Sequence, residues 1–275
     1  MSTERGNGVR RVTVPDLRDM KRRGEKIAVL TAYDYLLARL VDGAGVDVVL
    51  VGDSLGQVVL GLDTTVPVTL DDMIHHARAV RRGVERALLV VDLPFLTYQV
   101  SREDALRNAG RILRETGASA VKLEGGSPEI CETVRALVAA GIPVMGHVGF
   151  TPQSVNVIGV RVQGRDEDAR ARVIAEARRL EEAGCFAVVL ELVPGTLATE
   201  VTQSLSIPTI GIGAGVECDG QVLVLHDMLG LNAGFNPRFL RRFAEVGEAV
   251  AGGVTSYVQA VKAGEFPAAE HTFDG

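Results

Sequence analysis

Residues 48–56 read VVLVGDSLG. Four aliphatic residues run without alternation into Gly52, Asp53 and Ser54, which is the signature of a strand buried on both faces. Such a strand delivers an acid and a hydroxyl at its carboxyl end. The pattern recurs along the chain. ALLVVDLPF (87–95) ends in Asp92, AVKLEGG (120–126) carries Lys122 and Glu124, IPVMGHVG (142–149) ends in His147, and AVVLELVP (187–194) ends in Glu191.

The full set of such runs is Ile27–Ala32, Asp47–Val51, Ala87–Val91, Ala120–Leu123, Ile142–Met145, Ala187–Leu190, Ile207–Ile210 and Val222–Leu225. Amphipathic segments lie between them: Tyr35–Gly43, Leu70–Arg82, Arg102–Glu115, Pro128–Ala140 and Asp166–Ala183. Apolar strands alternating with helices predict a parallel sheet covered on both faces. Eight such units over about 250 residues predict a (β/α)₈ TIM barrel. A doubly wound open sheet is the rival, but it usually has a glycine-rich loop after the first strand. Here that strand ends in TAYDY (31–35). Residues 1–10 read as a mobile tail ahead of one catalytic domain over 11–275.

Local signals agree. Thr69 stands as an N-cap before Leu70, and Ser127-Pro128-Glu129 supplies a cap, a first-turn proline and a first-turn acid. Gly141 and Gly184 follow helical runs, where a left-handed residue is expected.

Composition excludes several classes. The chain has 275 residues, is 47% hydrophobic and carries a net charge of -6. Nucleic acid and anionic membrane are therefore poor partners. The basic stretch from Arg10 to Lys26 reads as a solvated helix face. Cys131, Cys185 and Cys218 are scattered and odd in number, which argues against a disulfide framework or zinc site and for a reducing cytoplasm. The polar start MSTERGNGVRR has no secretion-type apolar core, and no run is long enough to cross a bilayer.

The active site of a barrel lies at the carboxyl ends of its strands. A single acid there reads as a cap for the next helix, but polar groups on five successive strands read as a site. Side chains alternate along a strand, so Lys122 and Glu124 point the same way. Asp53, Asp92 and Glu124 would repel one another unless a cation intervened. Oxygen ligands without cysteine favour a hard ion, Mg²⁺ first and Mn²⁺ or Ca²⁺ after it. Such an ion can hold an α-keto acid and stabilise its enolate. Lys122 can pair with the substrate carboxylate. Glu191, between Leu190 and Leu192, has the apolar setting that raises a carboxyl toward a general base. His147 is equally a structural residue or a group that orients or stabilises charge. IGIGAG (210–215) lacks dinucleotide-binding spacing. His75 and His76 are adjacent on one helix and cannot share a face.

At these residues the sequence resembles the ketopantoate (3-methyl-2-oxobutanoate) hydroxymethyltransferase family. The shared stretches are TAYDY (31–35), VGDSLG (51–56), TVPVTLDDMIHH (65–76), AVRRG (79–83), DLPF (92–95), VKLEGG (121–126), GHVGFTPQSVN (146–156), VQGR (162–165), LELVP (190–194), IPTIGIGAG (207–215), DGQVLVLHDMLG (219–230) and EHTF (270–273). The resemblance implies Mg²⁺ on Asp53 and Asp92, with Glu124 in or near the metal shell. It implies keto-acid contacts from Asp53, Ser54, Asp92 and Lys122, and Glu191 as proton acceptor. It further implies 5,10-methylenetetrahydrofolate as one-carbon donor, a place in pantothenate and coenzyme A synthesis, and a homodecamer built as a pentamer of dimers. One departure is visible: VIGVR (157–161) is a residue shorter than the family's stretch of paired glycines and an aromatic. Two alternatives remain open. One is a Mg²⁺-dependent lyase or mutase of the phosphoenolpyruvate mutase type, which would need a phosphate or dicarboxylate pocket. The other is a non-catalytic keto-acid-binding protein, which would have lost a strand-tip acid.

Overall fold

A computed structural model describes residues 10–273. The expected N-terminal tail, residues 1–10, lies outside the described residues except for Arg10. Eight strands are present: β1 (Ile27–Thr31), β2 (Val48–Val51), β3 (Leu88–Asp92), β4 (Ala120–Lys122), β5 (Val144–Gly149), β6 (Ala187–Glu191), β7 (Thr209–Ile212) and β8 (Gly220–Leu223). They close in chain order into a barrel, each pair parallel, with β8 returning to β1 through Ile27↔Gly220 and Val29↔Val222. The helices of this unit are α1 (Val14–Arg23), α2 (Tyr35–Gly43), α3 (Leu55–Val58), α4 (Leu70–Gly83), α5 (Arg102–Thr116), α6 (Pro128–Ala139), α7 (Val155–Ile158), α8 (Glu167–Glu182) and α9 (Gly195–Ser204). This is the predicted (β/α)₈ fold.

Contacts divide the chain after Val224. All eight strands lie in the first compact unit. The second, from Leu225 onward, contains α10 (Leu225–Met228) and α11 (Val246–Ala263). The sequence reading assigned one domain to 11–275 and singled out no helix after Leu225.

The helix signals hold. Thr69 and Asp72 form a reciprocal capping box at α4, and the Ser127 side chain accepts from the Ile130 amide at α6. Gly141 and Gly184 have φ of 83° and 101°. Three strands moved by two residues or more. β5 runs on through His147 to Gly149, because its backbone keeps pairing with β6 as far as Gly149↔Glu191. β7 starts after Pro208, which has no N–H for the ladder. β8 starts two residues early, at Gly220. A Cβ on Gly220 would lie 2.4 Å from the Ile27 carbonyl oxygen, so β1 and β8 close there only around glycine.

Strand parity positions the site. The barrel core contains Ile27 and Val29, Val48 and Leu50, Leu88 and Val90, Ala120, Met145, Ala187 and Val189, Ile210 and Val222. Leu17 and Met20 of α1 join the same cluster. Two residues further along β1 to β6, the same inward parity reaches Thr31, Gly52, Asp92, Lys122, His147 and Glu191. The pleat that fills the core with aliphatic layers thus turns a ring of polar groups into the carboxyl-terminal mouth.

Candidate active site

Asp92 is the hub of the first cluster. Its Oδ1 accepts from Lys122 Nζ at 2.8 Å, and its Oδ2 accepts from the Asp53 amide at 3.0 Å. Both side chains of the ion pair are almost wholly buried, at 6% and 3% exposure. Gly52 occupies the inward position before Asp53, and a Cβ there would lie 2.8 Å from Ser54 Oγ and 3.5 Å from Asp92 Oδ2. Glycine leaves that space to the two functional groups. Ser54 Oγ shares a 2.8 Å hydrogen bond with the Tyr33 hydroxyl.

The second cluster centres on His147. Its Nδ1 is 3.5 Å from Glu124 Oε1 and its Nε2 is 3.2 Å from Glu191 Oε2. Neither nitrogen is aligned for a hydrogen bond, so the attraction is ionic. Burial opposes the imidazolium, but Glu124 and Glu191 outweigh it and push His147 up to about 9. The Glu191 carboxylate therefore meets a protonated imidazole, where the sequence had suggested an apolar setting. Its neighbours Leu190 and Val193 are buried.

Gln153 joins the two clusters. Its Nε2 donates to Asp53 Oδ2 at 2.9 Å and to the Leu93 carbonyl at 3.0 Å, while its backbone amide donates to Glu124 Oε2 at 3.0 Å. Tyr98 donates its hydroxyl proton to Gln153 Oε1 at 2.8 Å. Sequence reasoning missed Gln153, Tyr98 and Tyr33. The available signal was weak: a polar residue in the loop after His147, and tyrosines just beyond the tips of β1 and β3.

Asp53, Asp92, Glu124, Lys122 and His147 are all buried, whereas Glu191 and Ser54 are half-buried. Burial, then Asp92 and Glu124, push Asp53 up to about 8. Burial alone would lower Lys122, yet Asp92, Glu124 and Asp53 raise it above its ordinary value. Asp53, Asp92, Glu124 and Glu191 set four carboxylates against Lys122 and His147. Once Asp53 gives up its proton, two negative charges remain in excess even with the imidazole protonated.

Among the described residues, no group of three or more His, Cys, Asp or Glu side chains has the spacing to hold an ion. Each of the three expected carboxylates has taken a donor. Glu124 turns to the Gln153 amide and His147, while Asp53 and Asp92 stay together. The chemistry of the set still fits a hard dication. The donors are carboxylate oxygens, two negative charges need balancing once Asp53 is ionised, and Glu124 Oε1 is buried without a hydrogen-bond partner.

Comparison with known proteins follows the same line. The family model for ketopantoate hydroxymethyltransferase matches residues 11–269. A 3-methyl-2-oxobutanoate hydroxymethyltransferase from Chloroflexus aurantiacus is 56% identical over 262 residues, covering 95% of this chain and 92% of the relative. One from Syntrophus aciditrophicus is 54% identical over 265 residues, covering 96% and 97%. Among solved structures, phosphoenolpyruvate phosphomutase from Streptomyces platensis subsp. rosaceus matches with TM-score 0.63 at 16% identity, covering 91% of this chain and 88% of that one. A phosphonopyruvate hydrolase in complex with oxalate and Mg²⁺ matches with TM-score 0.62 at 12% identity, covering 94% and 92%. At these identities the structural likeness shows the fold.

Proposed function

The chain belongs to the ketopantoate hydroxymethyltransferase family and is a hydroxymethyltransferase acting on 3-methyl-2-oxobutanoate; we propose that it takes the one-carbon unit from 5,10-methylenetetrahydrofolate and works with Mg²⁺ held by Asp53 and Asp92. One observation carries this reading beyond family membership. A buried acid pair with its lysine and a half-buried glutamate beside an imidazolium open onto the same barrel mouth.

The keto acid needs a cationic partner for its carboxylate, and Lys122 Nζ is the buried ammonium at the mouth. Ser54 Oγ, steadied by Tyr33, supplies a hydroxyl for a substrate oxygen. When bound, Mg²⁺ supplies the positive charge that polarises the keto group and makes the C3 proton acidic. Glu191 Oε2 accepts that proton, the electron pair of the broken C3–H bond forms the C2=C3 bond, and the C2=O pair moves to the keto oxygen. C3 then bonds to the methylene carbon of the folate as C2=O re-forms and that carbon's bonds to the two folate nitrogens break. Water supplies the hydroxyl on the carbon, its remaining proton and the one taken from C3 go to the two nitrogens, and tetrahydrofolate leaves. His147 Nε2, 3.2 Å from Glu191 Oε2, orients the carboxylate and offsets its charge. Glu124 acts from near the metal through its contacts with Gln153 and His147.

The pathway is pantothenate synthesis, and we assign the protein to the cytoplasm. No described helix is long and apolar enough to cross a membrane. The proposed assembly is a homodecamer. Helix α11 supports self-association, since Val250, Val254, Tyr257, Val258 and Val261 form one exposed stripe at helical spacing.

The test is incubation with 3-methyl-2-oxobutanoate, methylenetetrahydrofolate and Mg²⁺, with mass detection of ketopantoate. Product should form, stop with EDTA and return with Mg²⁺. Full turnover by metal-free protein would overturn the metal assignment, and absence of product with every component present would overturn the donor assignment.

A further inference from the structure

Gln153 lies in the loop after β5, yet it touches the ends of three other strands. It meets Asp53 beyond β2, the Leu93 carbonyl beyond β3 and Glu124 beyond β4, with sequence separations of 100, 60 and 29 residues. It is 5% exposed, and Tyr98, which orients it, is 1% exposed. Every polar atom of the amide is engaged. Oε1 accepts the Tyr98 proton, so the nitrogen must face Asp53, and its two hydrogens go to Asp53 Oδ2 and to the Leu93 carbonyl. Tyr98 is fixed in turn because its oxygen accepts from the Glu124 amide at 3.1 Å.

We infer that Gln153, oriented by Tyr98, is the positioning residue of the metal site: it pins one oxygen of Asp53 as an acceptor and turns the other toward the cation. The inference rests on the metal reading given above. A neutral amide suits this task. An arginine or lysine would bring a charge that competes with the cation, and a carboxylate would repel Asp53. The amide donates to Asp53 Oδ2 without changing the charge of the site. Its backbone amide restrains Glu124 in the same way. One loop residue thus sets the spacing of two acids carried by different strands, as groups behind metal ligands commonly do.

The experiment compares Mn²⁺ binding, followed by the EPR signal of the free ion, with thermal unfolding for the unaltered full chain, Gln153→Met, Tyr98→Phe and the double variant. Methionine keeps the length and volume of the side chain and removes its donors and acceptor. Gln153→Met should weaken Mn²⁺ binding by roughly 10–100-fold, the usual effect of removing a partner of a metal ligand. The melting temperature in EDTA should fall far less than that loss would suggest if it reflected unfolding. Tyr98→Phe should give a smaller loss, and the double variant should bind no more weakly than Gln153→Met, because Tyr98 acts through the amide. Mn²⁺ affinity unchanged by Gln153→Met would overturn the inference alone. Additive losses in the double variant would overturn the part assigned to Tyr98. Absence of Mn²⁺ binding by the unaltered protein would overturn the metal reading and this inference with it.

Discussion

Replacing Lys122 with methionine tests the electrostatic centre of the site. The ammonium lies 2.8 Å from Asp92 Oδ1, and both side chains are shielded from water. At an effective dielectric of about 20, two unit charges at that distance attract by roughly 6 kcal/mol before desolvation is subtracted. Removing one partner leaves Asp92 buried and unpaired beside Asp53 and Glu124. Such a loss is worth about 3–5 kcal/mol, close to the gross attraction, because the remaining charge keeps its desolvation cost. For a chain of this size that is a fall of about 6–20 °C in melting temperature. The assay is thermal or urea unfolding in EDTA, followed by circular dichroism. A second variant, Lys122→Met with Asp92→Asn, removes the stranded charge and should recover most of the loss, although both proposed substrate contacts are gone. Mg²⁺ should restore part of the stability of the single variant by compensating Asp92. A loss below about 1 kcal/mol in the single variant, or a double variant no more stable than the single, would refute the reasoning. Either result would mean that water reaches the pair and that Lys122 remains free for substrate alone.

In Glu191→Gln the proton acceptor is lost while shape is kept, so exchange of the C3 proton of 3-methyl-2-oxobutanoate in D₂O, read without folate by collapse of the methyl doublet, should slow by about 10²–10⁴-fold. Exchange at the unaltered rate would move the base elsewhere. Gly149 has φ of 96° and a Cβ there would lie 2.3 Å from the Glu191 carbonyl oxygen, whereas Gly141 has φ of 83° and nothing within 4 Å. Gly149→Ala should therefore cost about 2–5 kcal/mol and Gly141→Ala about 1–2 kcal/mol by urea midpoint, and equal costs would show that β5 gives way at Gly149. The pH dependence of metal-free stability follows from two raised groups. His147, with about 9 in the fold against 6.5 ordinarily, contributes stability that is complete below about 6.5 and lost as pH rises through 9. Asp53, at about 8 against 3.8, holds its proton more tightly in the fold, so its ionisation also costs stability as pH rises from about 4 to 8. Urea midpoints in EDTA should thus fall from pH 6 to pH 9, and His147→Asn should flatten the upper part of that slope; a rising midpoint would contradict both assignments.

The sequence by itself determined the barrel, the identity of its strand-tip acids and the family. Apolar runs such as VVLVGDSLG and AVKLEGG declare doubly buried strands, because every residue in them must meet either the core or a covering helix. Parity within one strand also showed that Lys122 and Glu124 face the same way. Sequence could not say which tips would meet, since that depends on the register between strands distant from one another in the chain. Only the tertiary structure decided that Lys122 reaches Asp92, that Glu124 turns to His147 and the Gln153 amide, and that Glu191 faces an imidazolium. It also decided the part played by Gln153. An isolated glutamine in a loop carries no periodicity and no charge, so its importance arises only when chain closure brings three strand ends within reach of one residue.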